Sequence, residues 1–583
     1  MLRRKIVGVL LVYAFLLPTL SFGQTAPRVY EAPADVLAKI KEEGTKNSQV
    51  MKTLSYMSDV IGPRLTGSPG LKRANEWTRD TMAGWGLQNA HLEAWGPFGR
   101  GWTLKRYYAM VDGPTAFPVI SYPKAWSPGT DTLIPPPPPV DPKAKNKPAP
   151  APANTSTAFT GEVVRFNATN EAELEQYKGK LKGKIILMSP MREVRAWLEA
   201  PGKRFTDKEL LDLADAADPN APRRPAAAPT GGPAGGPGGN FAQAAQFNGR
   251  RMRFLVEEGA AILLDAGRGD GGTIFVQGAA AVPPATPTPG QPNPTVRDKA
   301  AKVPIQISAA VEHYNRIARM VDAGEKVTMT VDLAVEFQDT DPMAYNTIAE
   351  IPGTDKADEI VMLGGHLDSW QAGTGATDNG AGCAVMMEAV RILQTLGLKG
   401  RRTIRVGLWT GEEQGLLGSR AYVRQHFGYR GPAIPAAGGP GGGGGQNQTP
   451  QPLTKLAEYD KLSAYFNIDN GTGKVRGVYM QGNEGVRSIF RTWLIPFREM
   501  GANTLSLSNT GGTDHLAFDA VGLPGFQFIQ DAVEYDTRTH HSNMDVFDRI
   551  QADDMKQMSI ILATFVYQTA MMDEKMPRKT VAP

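Results

Sequence analysis

One cysteine, Cys383, in 583 residues excludes any intrachain disulfide and leaves no thiolate set to hold a metal. A large exported chain with its own apolar core does not need disulfides, so this scarcity does not argue for a reducing compartment. Long apolar runs are also scarce: beyond the first 20 residues, nothing approaches the roughly 20 consecutive apolar residues of a spanning helix. An excess of one charge is missing too. Lys and Arg number 63 against 59 Asp and Glu, and loss of Arg3, Arg4 and Lys5 with a leader takes the formal charge from +4 to +1, which gives no case for nucleic-acid binding. Histidine is rare, 7 in all, so a histidine that falls into a pattern carries information.

The chain opens with Met1-Leu2-Arg3-Arg4-Lys5, an apolar run from Ile6 to Leu20 containing Pro18, and Ser21-Phe22-Gly23. That basic, apolar, small-residue order is a secretory signal, with cleavage expected after Gly23 and export to the periplasm or the extracellular space. Gly and Pro, 64 and 45 residues, concentrate in tracts at 134–158, 216–240, 281–295 and 432–452, which cannot pack a core and are expected to be linkers or insertions. The Gly-rich tract at 432–452 lacks the lysine of a phosphate loop. Between these tracts, 161–338 reads as a strand and helix module. After 341 strands alternate with helices, as in a largely parallel sheet.

Four of the later strands run into metal-capable side chains. GGHLDSW carries His366 and Asp368, GATDNGAG carries Asp378, WTGEEQG carries Glu412 and Glu413, FNIDNG carries Asp469, and THHSNMD carries His540, His541 and Asp545. Open α/β sheets bind ligands beyond the carboxyl ends of their strands. Zinc accepts imidazole nitrogen and carboxylate oxygen, and a zinc pair is commonly held by one shared carboxylate with two further ligands on each ion. Asp378 is then the bridge, His366 and Asp469 complete one metal, and Glu413 and His541 complete the other. Glu412 is left over as the general base that takes a proton from metal-activated water and hands it to a leaving amine. Asp368 is expected to accept the second ring N–H of His366, and Asp545 that of His541. Taken singly, each has a plainer reading: a satisfied core pair, a helix-start acid, a turn or a solvated loop. The conjunction, in consistent order at strand ends, is what points to hydrolysis.

These motifs resemble the M28 family of co-catalytic zinc exopeptidases, most closely the branch that contains plasma glutamate carboxypeptidase; IGPRLTGSPG near the N-terminus resembles that family too. The resemblance implies the same ligand set, the same role for Glu412 and two Zn2+ ions. It implies an α/β fold with a mainly parallel mixed sheet sandwiched by helices, interrupted by a smaller α/β protease-associated domain. The implied plan is a signal peptide at 1–23, the N-terminal part of the peptidase domain at 24–114, the insert at 115–336, and the catalytic domain at 337–583 with its Gly-rich loop. Two departures stand out. The last ligand histidine of much of the family follows a tyrosine, but here it follows His540, so oxyanion support falls to His540 or elsewhere. GGTDHLAF has Thr513 where the family segment near the substrate pocket has serine, which makes Asp514 and His515 pocket candidates.

The expected substrates are short peptides or dipeptides, with the direction of cleavage open and Arg538 one candidate for a terminus-binding cation. No nucleic-acid partner is expected and no membrane span after signal cleavage; the reading allows a homodimer. Two alternatives bear weighing: a catalytically inactive M28-like binding ectodomain, against which the intact ligand set argues, and an M20-type metallopeptidase or deacylase, whose H-x-D and bridging Asp lie further apart than His366 and Asp378. A single-zinc glutaminyl cyclase of related fold would not need a second complete ligand set.

Overall fold

In the strand Lys356–His366, Val361 and Leu363 pack on one face and Ile360 and Met362 on the other, and all four are buried. A parallel strand covered by helices on both sides reads in sequence as an unbroken apolar run for this reason. The computed structural model describes residues 28–134, 157–220, 237–286, 293–431 and 451–579. It places this strand near the middle of an eight-stranded sheet. The order across that sheet is Gln88–Trp95, Ala344–Ile351, Arg402–Trp409, Lys356–His366, Leu462–Asn467, Gly525–Gln530, Val475–Tyr479 and Thr504–Ser506. The strands from Arg402–Trp409 through Gly525–Gln530 run parallel, while Ala344–Ile351 and Val475–Tyr479 oppose their inner neighbours. The sheet is therefore mixed with a parallel centre.

Helices Ala381–Thr395 and Ala552–Met571 cover the Val361 face, and Leu417–His426 and His515–Asp519 cover the Met362 face. Ala552–Met571 is buried nearly all round because Ala34–Lys46 packs on it as well. A second eight-stranded sheet takes its strands from 101 to 338 and has its own apolar core. Gly101–Gly113 and Thr328–Gln338, at the two ends of that stretch, pair antiparallel along their length.

The alternation of strands and helices read from the sequence after residue 341 is present. Within the strand and helix module, the first helix is short, Glu171–Glu175. One of the alternating helices is α-helical over Arg487–Leu494 and then tightens to a 3-10 turn over Ile495–Met500, where Pro496 supplies no N–H. Strands Gly101–Gly113 and Ala344–Ile351 escaped the sequence reading; the first is broken by Lys105, Arg106 and Asp112 because much of it faces water. The leader and most of the four Gly/Pro-rich tracts lie outside the described residues. Among the described residues no helix is long and apolar enough to cross a membrane.

One buried arginine ties the N-terminal segment to the loops beyond the central strand. Arg64 is fully buried, and its guanidinium donates to the carbonyls of Leu367 at 2.7 Å, Thr374 at 2.8 Å and Gly375 at 2.7 Å. Gly375 has φ +63°, and a Cβ there would lie 2.8 Å from an Arg64 nitrogen and 2.3 Å from Ser369 Cβ, so only glycine fits. Replacing Arg64 by leucine strands several buried carbonyls. We expect Arg64→Leu to lose about 3 kcal/mol in denaturant unfolding; a loss under about 0.5 kcal/mol, the range of neutral surface changes, would remove this role.

At the far edge, His426 lies between Glu93 (2.7 Å) and Glu458 (3.3 Å) and stacks on Tyr422. Burial would depress its imidazolium, but the two carboxylates outweigh that and raise it from 6.5 to about 9. The stability contributed by a raised histidine is complete below its unfolded value and is lost as pH climbs through the folded one. The gap in melting temperature between wild type and His426→Leu should therefore be widest below about pH 6.5 and close between there and about pH 9. A gap that stays constant over that window would refute the pairing.

Candidate metal centre

His366 closes its strand, Glu412 and Glu413 follow Trp409, Asp469 follows Leu462–Asn467, and the loop after Gln530 leads to His541. The parallel centre of the sheet thus delivers all of them to one end. Asp378 comes from the turn before Ala381–Thr395, and Gly382 in the first turn of that helix would place a Cβ 2.3 Å from Asn379 Oδ1 and 2.6 Å from the Ile468 carbonyl.

The two oxygens of Asp378 face different histidines. Oδ1 lies 3.1 Å from His366 Nε2, and Oδ2 lies 3.1 Å from His541 Nε2. Asp469 is 3.5 Å from His366 Nε2, and Glu413 is 2.9 Å from His541 Nε2. Glu412 stands 3.9 Å from His366 Nε2. Donor atoms of His366, Asp378 and Glu413, and again of His366, Glu412 and Asp469, come within 4.8 Å of one another. Asp378, His540 and His541 form a third such trio; His540 Nε2 is 3.7 Å from Asp378, further than His541.

Burial makes this crowding costly. It pushes the Glu412 carboxyl well up, Glu413 to about 7 and Asp469 above its ordinary value. Burial works against the His366 cation as well, yet the facing Asp469 and Glu412 outweigh it and hold the imidazole well above its usual value. Asp378 goes the other way: the two histidines outweigh desolvation and keep it well below the carboxylate range. Without a cation, protons have to balance these charges. Glu413 Oε1 and Asp469 Oδ1 are buried with no hydrogen-bond partner among the described residues. Orphaned carboxylate oxygens beside unprotonated-capable imidazoles are the donor set that a zinc-like divalent ion takes, so the residues fit such a metal.

Two supporting roles differ from expectation. His366 Nδ1 meets the backbone carbonyl of Asp368 at 3.0 Å, with the carboxylate at 3.7 Å. The Asp368 carboxylate instead accepts from Thr66 Oγ1 (2.9 Å) and from the amides of Glu412 (3.2 Å) and Glu413 (3.3 Å). It fixes the Glu pair, while the chain's own carbonyl fixes the His366 tautomer. Asp545 does not reach His541: its carboxylate accepts from the Thr377 amide at 2.5 Å, beside the bridge. Burial first, and the neighbouring Asp378 next, push Asp545 up to about 7. The neighbour of His541 Nδ1 is Gln277, at 3.0 Å.

Asp378, Glu412, Glu413, Asp469, His540 and His541 open onto a cavity of about 550 Å³, shared with Arg420, Tyr535 and Asp536. His540 stacks on Tyr535 with ring centroids 4.6 Å apart. Asp514 and His515 do not line it. Both are fully buried behind the wall, His515 Nε2 against the Thr510 carbonyl and its imidazolium driven down to about 4 by burial. Arg538 lies outside the cavity as well, beside Glu534 and the Trp197 ring. Sequence reasoning missed Arg64, Gln277, Tyr535, Arg420 and Asp536. Only Arg64 carried a signal, a charge inside the Gly- and Pro-flanked GPRLTG turn.

Residues 346–566 match the model of peptidase family M28. Carboxypeptidase Q of Mus musculus is 30% identical over 283 residues, 48% of this chain and 53% of that protein, and carboxypeptidase Q of Homo sapiens is 29% identical over the same shares. The chain spans about half the length of the curated relatives it matches. The crystal structure of a peptidase M28 precursor from Shewanella amazonensis SB2B aligns with 94% of this chain and 98% of its own at a TM-score of 0.58 and 21% identity, a likeness of fold. The metal-capable cluster at the ends of the parallel strands lies within the matched span, so it is the site-bearing part of the chain, residues 346–566, that is similar to peptidase family M28.

Proposed function

We propose that the protein is an exported two-zinc exopeptidase that hydrolyses short peptides. The observation that carries this is Asp378 offering one oxygen to each of two histidines, with Glu413 and Asp469 orphaned beside them. In this reading His366, Asp378 and Asp469 hold one ion and Asp378, Glu413 and His541 the other. Zinc, when bound, supplies Lewis acidity toward the scissile carbonyl and lowers the pKa of water. Glu412 takes the proton of the attacking water and delivers it to the leaving amine. Desolvation suits it to hold that proton between the two transfers. Asp368 keeps Glu412 and Glu413 on separate headings through their amides. His540, kept neutral by burial, faces the cavity with a ring N–H for the developing oxyanion.

The charged rim bears on direction of cleavage. Arg420 is the cation of the cavity wall, and it forms no salt bridge among the described residues; Asp536 on the same wall is likewise without one. A cation and an anion flanking the metals suit a free carboxylate and a free ammonium, and thus unblocked peptide ends.

Purified protein should contain zinc and cleave unblocked dipeptides faster than N-blocked or C-amidated forms. Glu412→Gln should keep its zinc and lose about 100- to 10,000-fold in kcat. A Glu412→Gln variant with undiminished turnover would end the base assignment, and a metal-free protein that cleaves nothing would end the enzymatic reading. Arg420→Gln should raise KM for free-carboxylate peptides about tenfold or more and leave C-amidated ones unchanged. An equal effect on both would show that Arg420 does not hold the carboxylate.

A further inference from the structure

We propose that Gln277, which belongs to the second-sheet module and not to the family-matched span, is a positioning residue for the metal-ligating edge of His541. The inference rests on the zinc reading above. His541 has a non-glycine backbone at φ +60°, a left-handed conformation that costs free energy and persists where its surroundings fix it. The module supplies that fixation. The Val276 amide donates to the His541 carbonyl at 2.9 Å, and Phe275 forms a β-bridge with Ser542. The Ile274 amide donates to Asn543 Oδ1 at 2.8 Å, while the Asn543 amide donates to the Ile274 carbonyl at 3.1 Å. The backbone of 274–277 thus runs along 541–543 as a short strap, and Gln277 at its end reaches His541 Nδ1 at 3.0 Å.

The chemistry of that last contact is set by the other ring nitrogen. With Nε2 directed at Asp378 and Glu413 and used for a metal, Nδ1 carries the proton and needs an acceptor. The Gln277 side-chain amide, turned about its terminal bond, places its oxygen there. Its main chain is anchored independently, since the Gln277 carbonyl accepts from the Ala125 amide at 3.1 Å. The acceptor that in many metal sites is a carboxylate close in sequence is here a glutamine 264 residues away, on the far side of the module boundary.

Zinc affinity, measured by chelator competition on the full chain, separates this from a packing role. Gln277→Leu should loosen one of the two ions about tenfold or more and leave the other unchanged. Gln277→Glu, which keeps an acceptor, should hold both at wild-type affinity or tighter. The unfolding midpoint of the metal-free protein should be the same in all three, because the strap is backbone. Wild-type affinity for both ions in Gln277→Leu would overturn the proposal, as would equal weakening in Gln277→Glu. Failure of the wild type itself to bind zinc would overturn it together with the reading it rests on, and that outcome is distinguishable because it appears before any substitution.

Discussion

Four carboxylates buried within reach of one another, with imidazoles as the nearest cations, set the terms for this structure. Asp378, Glu412, Glu413 and Asp469 are brought together only because parallel strands end at one side of a sheet. Folding such a cluster without compensation costs several kcal/mol per charge. The surrounding architecture works as restraint on that cluster. Arg64 holds the loops on either side of Ser369, Asp368 orders the Glu pair, and Asp545 holds the turn that carries the bridge. None of these three has to touch substrate, yet each fixes where a charged oxygen lies.

The loop that delivers His541 is restrained from both flanks. On one side Asp531, fully buried, receives Arg204 at 3.0 Å, Arg476 at 3.0 Å and the Phe205 amide at 2.9 Å, and Lys203 bridges to Val533. On the other side lies the 274–277 strap. Both 201–205 and 274–277 come from the module of the second sheet, so the metal-capable cluster is a joint product of two parts of the chain with separate apolar cores.

The sequence was most informative where burial and chemistry coincide. Lys356–His366, Arg402–Trp409 and Ala552–Met571 are covered on most sides and wrote their apolar runs plainly, and metal-capable residues fell at the ends of the two strands. Partly exposed elements such as Gly101–Gly113 wrote a mixed pattern and were missed. Among the site residues, the metal-capable ones were legible because histidine is rare in this chain and the carboxylates fell beside it in consistent order at strand ends. Their supports were not: Gln277 is an ordinary polar residue whose role comes from a contact across 264 positions, which no local pattern encodes. Asp368 does face His366 Nδ1, at 3.7 Å, but takes its shorter hydrogen bonds from Thr66 and the Glu pair, and Asp545 turns to the Thr377 amide instead of His541, since spacing along the chain says which side a carboxylate leaves from and not where the next turn carries it. Asp514 and His515 show the reverse error: polar residues near a pocket in sequence can serve the wall behind it.

The pairing of Gly101–Gly113 with Thr328–Gln338 carries a consequence for how the chain assembles. Gly101 lies opposite Gln338, and a few residues further out Trp95 lies opposite Ala344 in the other sheet. Once the second sheet has formed, its two ends are already side by side. The entropy of closing a loop of more than two hundred residues is then met within the second sheet, and the first sheet gains its outer strand pair by a closure only a few residues long. In contact-order terms, a connection that looks very distant in sequence becomes local, so a long insertion between the halves of the sheet need not slow their meeting.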